Sequence, residues 1–329
     1  MEKEVRIIFM GTPEFAVESL KRLVSENNNI VAVVTTPDKP AGRGLKIQES
    51  EVKKFSVANN LTVFQPENLE DEIFVESIKQ LSPDLIIVVA FRKIPDILLK
   101  IPVLGAFNLH ASLLPQYRGA APINWAIING ETETGLTTFI LNDKIDSGKI
   151  LLQKSVTIRP EYNASMLNDV MKITGAALVS DTVKIIIRGN YQSTEQEKIL
   201  KKTDLLKKAP KIFKADCKIN WQSSTILIHN LIRGLSYIPG AYSEFIAPNG
   251  KFFQFKIYRS EYTVIAHKNS PGFIETDNDQ YLRIYTNDGF IDIKEIQLSG
   301  KKNMNIDELL RGFKLNSYWK AGHFMTNKC

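Results

Sequence analysis

Short unbroken apolar runs alternate with segments of helical spacing through the first half of this chain, and that alternation restricts its folding more than any other feature. Val5–Met10 is apolar apart from Arg6 and reads as a buried strand. Glu14–Val24 follows with apolar residues at 16, 17, 20, 23 and 24, which form one helical stripe. Ile30–Thr35 is a second strand, Asp71–Leu81 a further helix, and Asp84–Ala90 the most apolar strand of all. Strand and helix repeated in this order demand parallel strands, because the chain must cross over a face of the sheet before pairing again. Both faces of such a sheet are then covered, which explains strands that are apolar throughout. Pro122–Ile128 reads as a short helix with proline at its first position and Gly130 just past its end. Thr134–Leu141 and Lys149–Thr157 are expected to pair, and Ser165–Arg188 to close the domain as a long helix.

After Gly189 the periodicity dissolves into polar and lysine-rich sequence, which reads as a linker over 190–208. This divides the chain into a first domain at 1–189 and a second at 209–329. Beyond the linker, Phe252–Tyr258, Tyr262–Ala266, Leu282–Thr286 and Phe290–Ile296 are short alternating runs. Turn pairs at Asn249-Gly250, Pro271-Gly272 and Asp288-Gly289 punctuate them, so a small β-barrel is expected, interrupted by one helix at Ser224–Leu235. Charge separates the halves as well. The net charge is +6, yet residues 1–197 hold 21 Lys+Arg against 24 Asp+Glu, and residues 198–329 hold 21 against 12. A basic second domain suits a polyanion, since lysine and arginine gain by releasing the counterions condensed on phosphates; a solvated basic surface is the alternative.

Several classes are disfavoured. No apolar run reaches the ~18 residues of a membrane span, and Met1–Arg6 leads into a strand without a secretory apolar region, so a cytoplasmic protein is expected. Cys217 and Cys329 lie too far apart for a zinc knuckle or a disulfide framework. Gly11-Thr12-Pro13-Glu14, where Thr12 would cap a helix beginning at Pro13, contains only one of the three glycines of a dinucleotide fingerprint.

The richest chemistry lies in Gly105–Ile123. On a strand, Asn108 and His110 share a face and point at one centre at the strand's carboxyl end, where open α/β sheets bind ligands. Downstream, Asn142–Gly148 is a polar loop able to hold a carboxylate, Asp143 or Asp146. An isolated histidine or an Asp-Ser-Gly turn is usually structural. Together, however, an amide donor, an imidazole and a carboxylate supply what acyl transfer to an amine requires.

Gly11–Phe15, Pro37–Gly44, Asn108-Leu-His110, Ser112–Pro115, Arg118–Ile123 and Ile145–Gly148 resemble the methionyl-tRNA formyltransferases, as do Ala209–Ile212, His229–Arg233, Pro239–Ala241 and Leu309–Gly312 in the second domain. The resemblance spans about residues 5–315. It implies a Rossmann-like formyltransferase domain with a parallel-rich sheet, followed by an oligonucleotide-binding-type barrel. The implied activity is transfer of a formyl group from 10-formyltetrahydrofolate to methionyl initiator tRNA, by a monomer that needs no metal. Asn108, His110 and Asp146 would be catalytic, and Val88, Ala90, Phe91, Ser112, Leu113, Leu114 and Pro115 would hold the folate. Lys39, Arg43 and Lys46, in an irregular loop at Pro37–Ile47 expected to be mobile, would meet the tRNA. Two departures stand out. Phe91–Pro95 is shorter and more basic than the family's usual folate-lining segment, and Asn220 and Ser236–Ala241 depart from the second-domain motifs. A formyltransferase acting on a small amine would share the catalytic residues but need neither the basic domain nor the 37–47 loop. A non-catalytic RNA-binding module would account for the charge but not for Asn108-x-His110.

Overall fold

The computed structural model describes residues 4–41, 46–199, 205–316 and 318–322. Two compact units emerge, the first formed by Met1–Pro122, Glu133–Thr157 and Asn168–Lys208, the second by Ile123–Thr132, Ile158–Leu167 and Ala209–Cys329. The stretch expected as a linker falls within the first unit. It is tied there by Thr194, whose backbone pairs with that of Ile150 through hydrogen bonds of 2.8 and 2.9 Å.

The chain begins with β1 (Ile7–Gly11), α1 (Glu14–Ser25), β2 (Ile30–Val34), β3 (Lys39–Ala41), β4 (Lys46–Gln48), α2 (Glu51–Ala58), β5 (Val63–Phe64), α3 (Glu72–Gln80) and β6 (Leu85–Val89). Next come α4 (Asp96–Leu99), β7 (Ala106–His110), β8 (Arg118–Gly119), α5 (Pro122–Ile128), β9 (Glu133–Ile140), β10 (Ile150–Thr157) and α6 (Ala164–Arg188). Seven strands form the main sheet in the order β10-β9-β7-β6-β1-β2-β5. From β7 to β5 every pairing is parallel; β9 and β10 are antiparallel. β1 and β6 are buried along their whole length, which is why they carry no polar alternation. α1 buries Phe15, Ala16, Leu20 and Leu23, the stripe read from the sequence shifted to include Phe15. That helix begins at Glu14, where its apolar spacing put it, and not at Pro13. Pro13 is its cap, in extended conformation, and the Thr12 hydroxyl has no partner among the described residues. At α3, by contrast, the Asp71 carboxylate accepts from the Phe74 N–H and fixes the start.

The loop expected at Pro37–Ile47 has more order at its base than its composition suggested. β3 and β4 pair there as an antiparallel ribbon, Lys39 opposite Gln48 and Ala41 opposite Lys46. Prolines and glycines alone did not forecast this, because a ribbon two or three residues long is stabilised by what anchors its ends. Asp38 at its root pairs with Lys53 and accepts at 2.7 Å from Gln65, and these donors hold its carboxyl below the usual range.

The chain continues with β11 (Lys208–Ala209), and the second unit then holds α7 (Thr225–Gly234), β12 (Ala241–Ile246), β13 (Phe252–Val264), β14 (Ile274–Thr276), β15 (Leu282–Tyr285), β16 (Gly289–Leu298), β17 (Met304–Asn305), α8 (Ile306–Gly312) and β18 (Lys320–Gly322). Its antiparallel sheet runs β14-β15-β16-β13-β12-β18, and a bridge between Phe273 and Lys320 draws the two ends together into a nearly closed barrel. The runs expected as separate strands at Phe252–Tyr258 and Tyr262–Ala266 are one strand. Its pairing with β16 slips between Ile257 and Ser260, so a bulge stands between the two expected runs. Phe245, Phe255, Ile257, Ile284, Ile291 and Ile296 fill the interior. Against β13 lies His229 of α7, its Nδ1 3.1 Å from the Ser260 hydroxyl and its ring 4.7 Å from that of Tyr262. Burial, with Arg233 adding like charge, pushes this imidazole down to about 4.

Candidate active site at the carboxyl end of β7

β7 is the strand on which the sheet changes sense. Val88 of β6 lies opposite Asn108 in parallel register, and Thr137 of β9 lies opposite His110 in antiparallel register. Strand alternation puts Asn108 and His110 on one face. Asn108 is half-buried, and among the described residues its amide has no hydrogen-bond partner. His110 is 6% exposed. Its Nε2 lies 2.9 Å from the Tyr117 carbonyl oxygen, which can only accept, so Nε2 carries a proton. The exchangeable position is therefore Nδ1, and Asp146 Oδ1 is 3.9 Å from it. That distance is too long for a hydrogen bond and short enough for a protonated ring to pair with the carboxylate.

Asp146 is held with care. Its other carboxylate oxygen accepts the Gly119 N–H at 3.0 Å, and its backbone takes the left-handed φ of +50°, uncommon for a residue with a side chain. Two residues on, a Cβ on Gly148 would stand 1.7 Å from the Ile140 carbonyl oxygen, so only glycine fits as the loop enters β10. Asp146 is thus the carboxylate brought to His110; among the described residues Asp143 makes no ion pair with that ring.

The turn after β7 is braced from β9 and β10. The Thr137 hydroxyl donates to Ser112 O at 2.6 Å and accepts the Leu114 N–H at 3.0 Å, while the Gln153 amide donates to Leu114 O at 2.9 Å. Of the residues expected to hold folate here, two have their side chains committed elsewhere. The Ser112 hydroxyl donates to Gln116 O at 2.6 Å, and Leu114 packs against Phe139 and Ile150. Leu113 is half-buried and Pro115 buried. On β6 and beyond, Val88 belongs to a core cluster with Phe91 and Ile94 against it, and Ala90, exposed, takes a φ of +48°. The unusual Arg92 donates to Glu67 O at 2.6 Å and to Pro66 O, and its guanidinium lies 5.6 Å from the Phe91 ring. Its charge thereby serves the protein's own loops.

Lys39 is exposed on β3, in a ribbon separate from the main sheet; the backbone of Lys46 pairs in β4, and Arg43 lies outside the described residues. Sequence reading missed Tyr117, Gly119, Thr137 and Gln196. Gln196 is fully buried and donates at 3.0 Å to the carbonyl oxygen of Asp146. No periodicity or motif pointed to it, since it follows a polar run.

Comparison with known proteins identifies the family. The family model described as formyl transferase matches residues 5–183, and that described as formyl transferase, C-terminal domain, matches 211–314. The chain is 48% identical to the methionyl-tRNA formyltransferase of Bacteroides thetaiotaomicron, over 97% of this chain and 99% of the relative. It is also 48% identical to that of Flavobacterium johnsoniae, over 95% and 97%. Among solved structures, WlaRD, a sugar 3N-formyl transferase crystallised with dTDP and 5-N-formyl-THF, shares the fold with a TM-score of 0.62. The identity there is 22%, over 91% of this chain and 99% of that one.

Proposed function

The chain belongs to the methionyl-tRNA formyltransferase family, and from that premise we propose that Asn108, His110 and Asp146 carry the transfer of a formyl group to the amino group of methionyl initiator tRNA. The observation that carries this reading is the pair of His110 Nδ1 and Asp146 at 3.9 Å, on the same strand face as an Asn108 amide with no partner among the described residues. The formyl carbon comes from 10-formyltetrahydrofolate. Bond formation by the methionyl amine sends charge onto the formyl oxygen; as that charge returns, the bond between the formyl carbon and N10 breaks, and tetrahydrofolate leaves with N10 taking up the proton that the amine gives up. The Asn108 amide, with no protein partner among the described residues, is available to donate to that oxygen. Nδ1 of His110 handles the proton, because Nε2–H is committed to Tyr117. Asp146 stabilises the imidazolium that results and helps remove the proton of the amine.

Val88, Ala90, Phe91 and Leu113–Pro115 hold the folate. With the Ser112 hydroxyl and the Leu114 side chain engaged inside the protein, that segment serves through its backbone, Leu113 and Pro115. Lys39, Arg43 and Lys46 meet the tRNA. The enzyme works as a monomer in the cytoplasm, and sedimentation at increasing concentration tests the first point.

The deciding assay supplies 10-formyltetrahydrofolate with methionyl-tRNA or with small amines such as an amino sugar nucleotide. Formylmethionine released by mild deacylation is the expected product. Formylation of the small amine in preference to the tRNA would overturn the reading.

A further inference from the structure

We propose that Gln196 is a positioning residue for formyl transfer, a buried amide that fixes the Asp146 loop against His110 and ties it to Arg118. The inference rests on the catalytic reading of His110 and Asp146 given above.

Gln196 is completely buried although Thr194, Glu197 and Lys198 around it are exposed. A buried primary amide is costly unless its hydrogen-bonding capacity is used, and here all of it is. Nε2 donates to Asp146 O at 3.0 Å and to Gly148 O at 2.9 Å; Oε1 accepts from Arg118 Nε at 3.0 Å and from a terminal guanidinium nitrogen at 2.5 Å. The amide's orientation is unambiguous, because carbonyls only accept and guanidinium only donates. One planar group therefore sets two carbonyls of the catalytic loop, on either side of Ser147. The loop it sets contains Asp146 at φ +50°, a conformation that persists only where the surroundings enforce it.

The interactions form a closed circuit. From Gln196 it runs through Arg118 to its neighbour Gly119, whose N–H donates to the Asp146 carboxylate, and from the Asp146 carbonyl back to Gln196. Tyr117, next in the same short segment, accepts from His110. Gln196 thus holds the partners of both reacting side chains without touching either substrate-facing atom. Thr194, two residues earlier, pins this stretch to Ile150 at the start of β10.

The test compares the full-length variants Gln196→Met, Gln196→Glu and Asp146→Asn with wild type, measuring kcat, KM for 10-formyltetrahydrofolate, the pH–rate profile and thermal unfolding. Gln196→Met keeps the volume and discards every hydrogen bond. Its kcat is expected to fall roughly 10- to 100-fold with KM within about 3-fold, as misplacement by about an ångström costs. Gln196→Glu still accepts from Arg118 but sets a carboxylate against two carbonyls; its relative rate is expected to recover as pH falls and protonation restores one donor. A purely structural role predicts a lower unfolding temperature with unchanged kcat per folded molecule and unchanged pH profile, and that result overturns the inference. So does an inactive Asp146→Asn beside a fully active Gln196→Met, which leaves the catalytic reading standing. Wild-type turnover in Asp146→Asn sinks both. If Gln196→Met does not fold, Arg118→Met interrupts the same circuit, and unchanged kcat there overturns the inference.

Discussion

Two histidines, one in each unit, show how far the same side chain is directed by its neighbours. His110 ends a strand and is buried with a carbonyl oxygen 2.9 Å from one ring nitrogen and a carboxylate 3.9 Å from the other. His229 is half-buried on a helix beside a hydroxyl, an aromatic ring and an arginine, with the arginine's like charge disfavouring protonation. In the mechanism proposed above the first passes a proton. The second is a neutral packing element whose protonation costs stability. Both stand in motifs that resemble the family's, so the motif alone does not separate them; the polar atoms facing each ring differ.

Exchanging the two effects is the most direct way to break this contrast. His110→Ala or Asp146→Ala should lower turnover by at least ~100-fold with little loss of stability, and Asn108→Ala by a similar ~100-fold, because the oxyanion then has no amide donor. His229→Ala should do the reverse, leaving turnover per folded molecule near wild type. Steady-state rates normalised to folded protein, with urea unfolding alongside, check all four. If the three first-unit variants keep wild-type rates, the site is wrongly assigned.

The His229 side of the comparison sharpens with pH. Its folded value of about 4 lies below the ordinary ~6.5 of an unfolded chain. Between those limits the unfolded chain binds a proton that the folded protein refuses, so stability rises with pH. The contribution is fully present above about pH 6.5 and is lost as pH falls toward about 4, at most ~1.4 kcal/mol per unit and up to about 3 kcal/mol in all. Urea unfolding at pH 7.5 and pH 5 should show this loss in wild type and a flatter dependence in His229→Gln. Equal pH dependence in the two would remove His229 as the cause.

A smaller effect probes the loop rather than the ring. Gly148→Ala forces a Cβ toward the Ile140 carbonyl and must displace the segment that ends at Asp146. A loss of about 1–3 kcal/mol in stability is expected, as for other forced overpacking, together with a drop in kcat that unfolding midpoints and rates measured on one preparation would reveal. Smallest per residue are the effects on tRNA. Arg43→Ala should narrow the preference for initiator over elongator tRNA. Lysine-to-alanine changes after residue 200 should weaken tRNA binding and flatten its salt dependence, by about one unit of slope for each lysine–phosphate pairing removed. Formylation of both tRNAs across a salt series measures this. An unchanged initiator-to-elongator ratio would remove Arg43 from discrimination.

The sequence by itself determined the parallel sheet, the long helix over Ala164–Arg188 and the existence of a second, β-rich unit, because hydrophobic periodicity records which face of each element is buried. It also put Asn108 and His110 on one face, since alternation along a strand is a local property. The resemblance had already named Asp146 rather than Asp143; only the tertiary structure put it 3.9 Å from His110, showed that Ser112 and Leu114 engage their side chains inside the protein, and merged two expected strands into β13 across a bulge. It alone showed that Gln196, a residue of an expected linker, is buried and bonded to the carbonyls of Asp146 and Gly148. The reason is common to these cases. A buried polar interaction joins residues distant in the chain, here 50 apart between Gln196 and Asp146 and 78 between Gln196 and Arg118, and leaves no periodic mark on the sequence at either end.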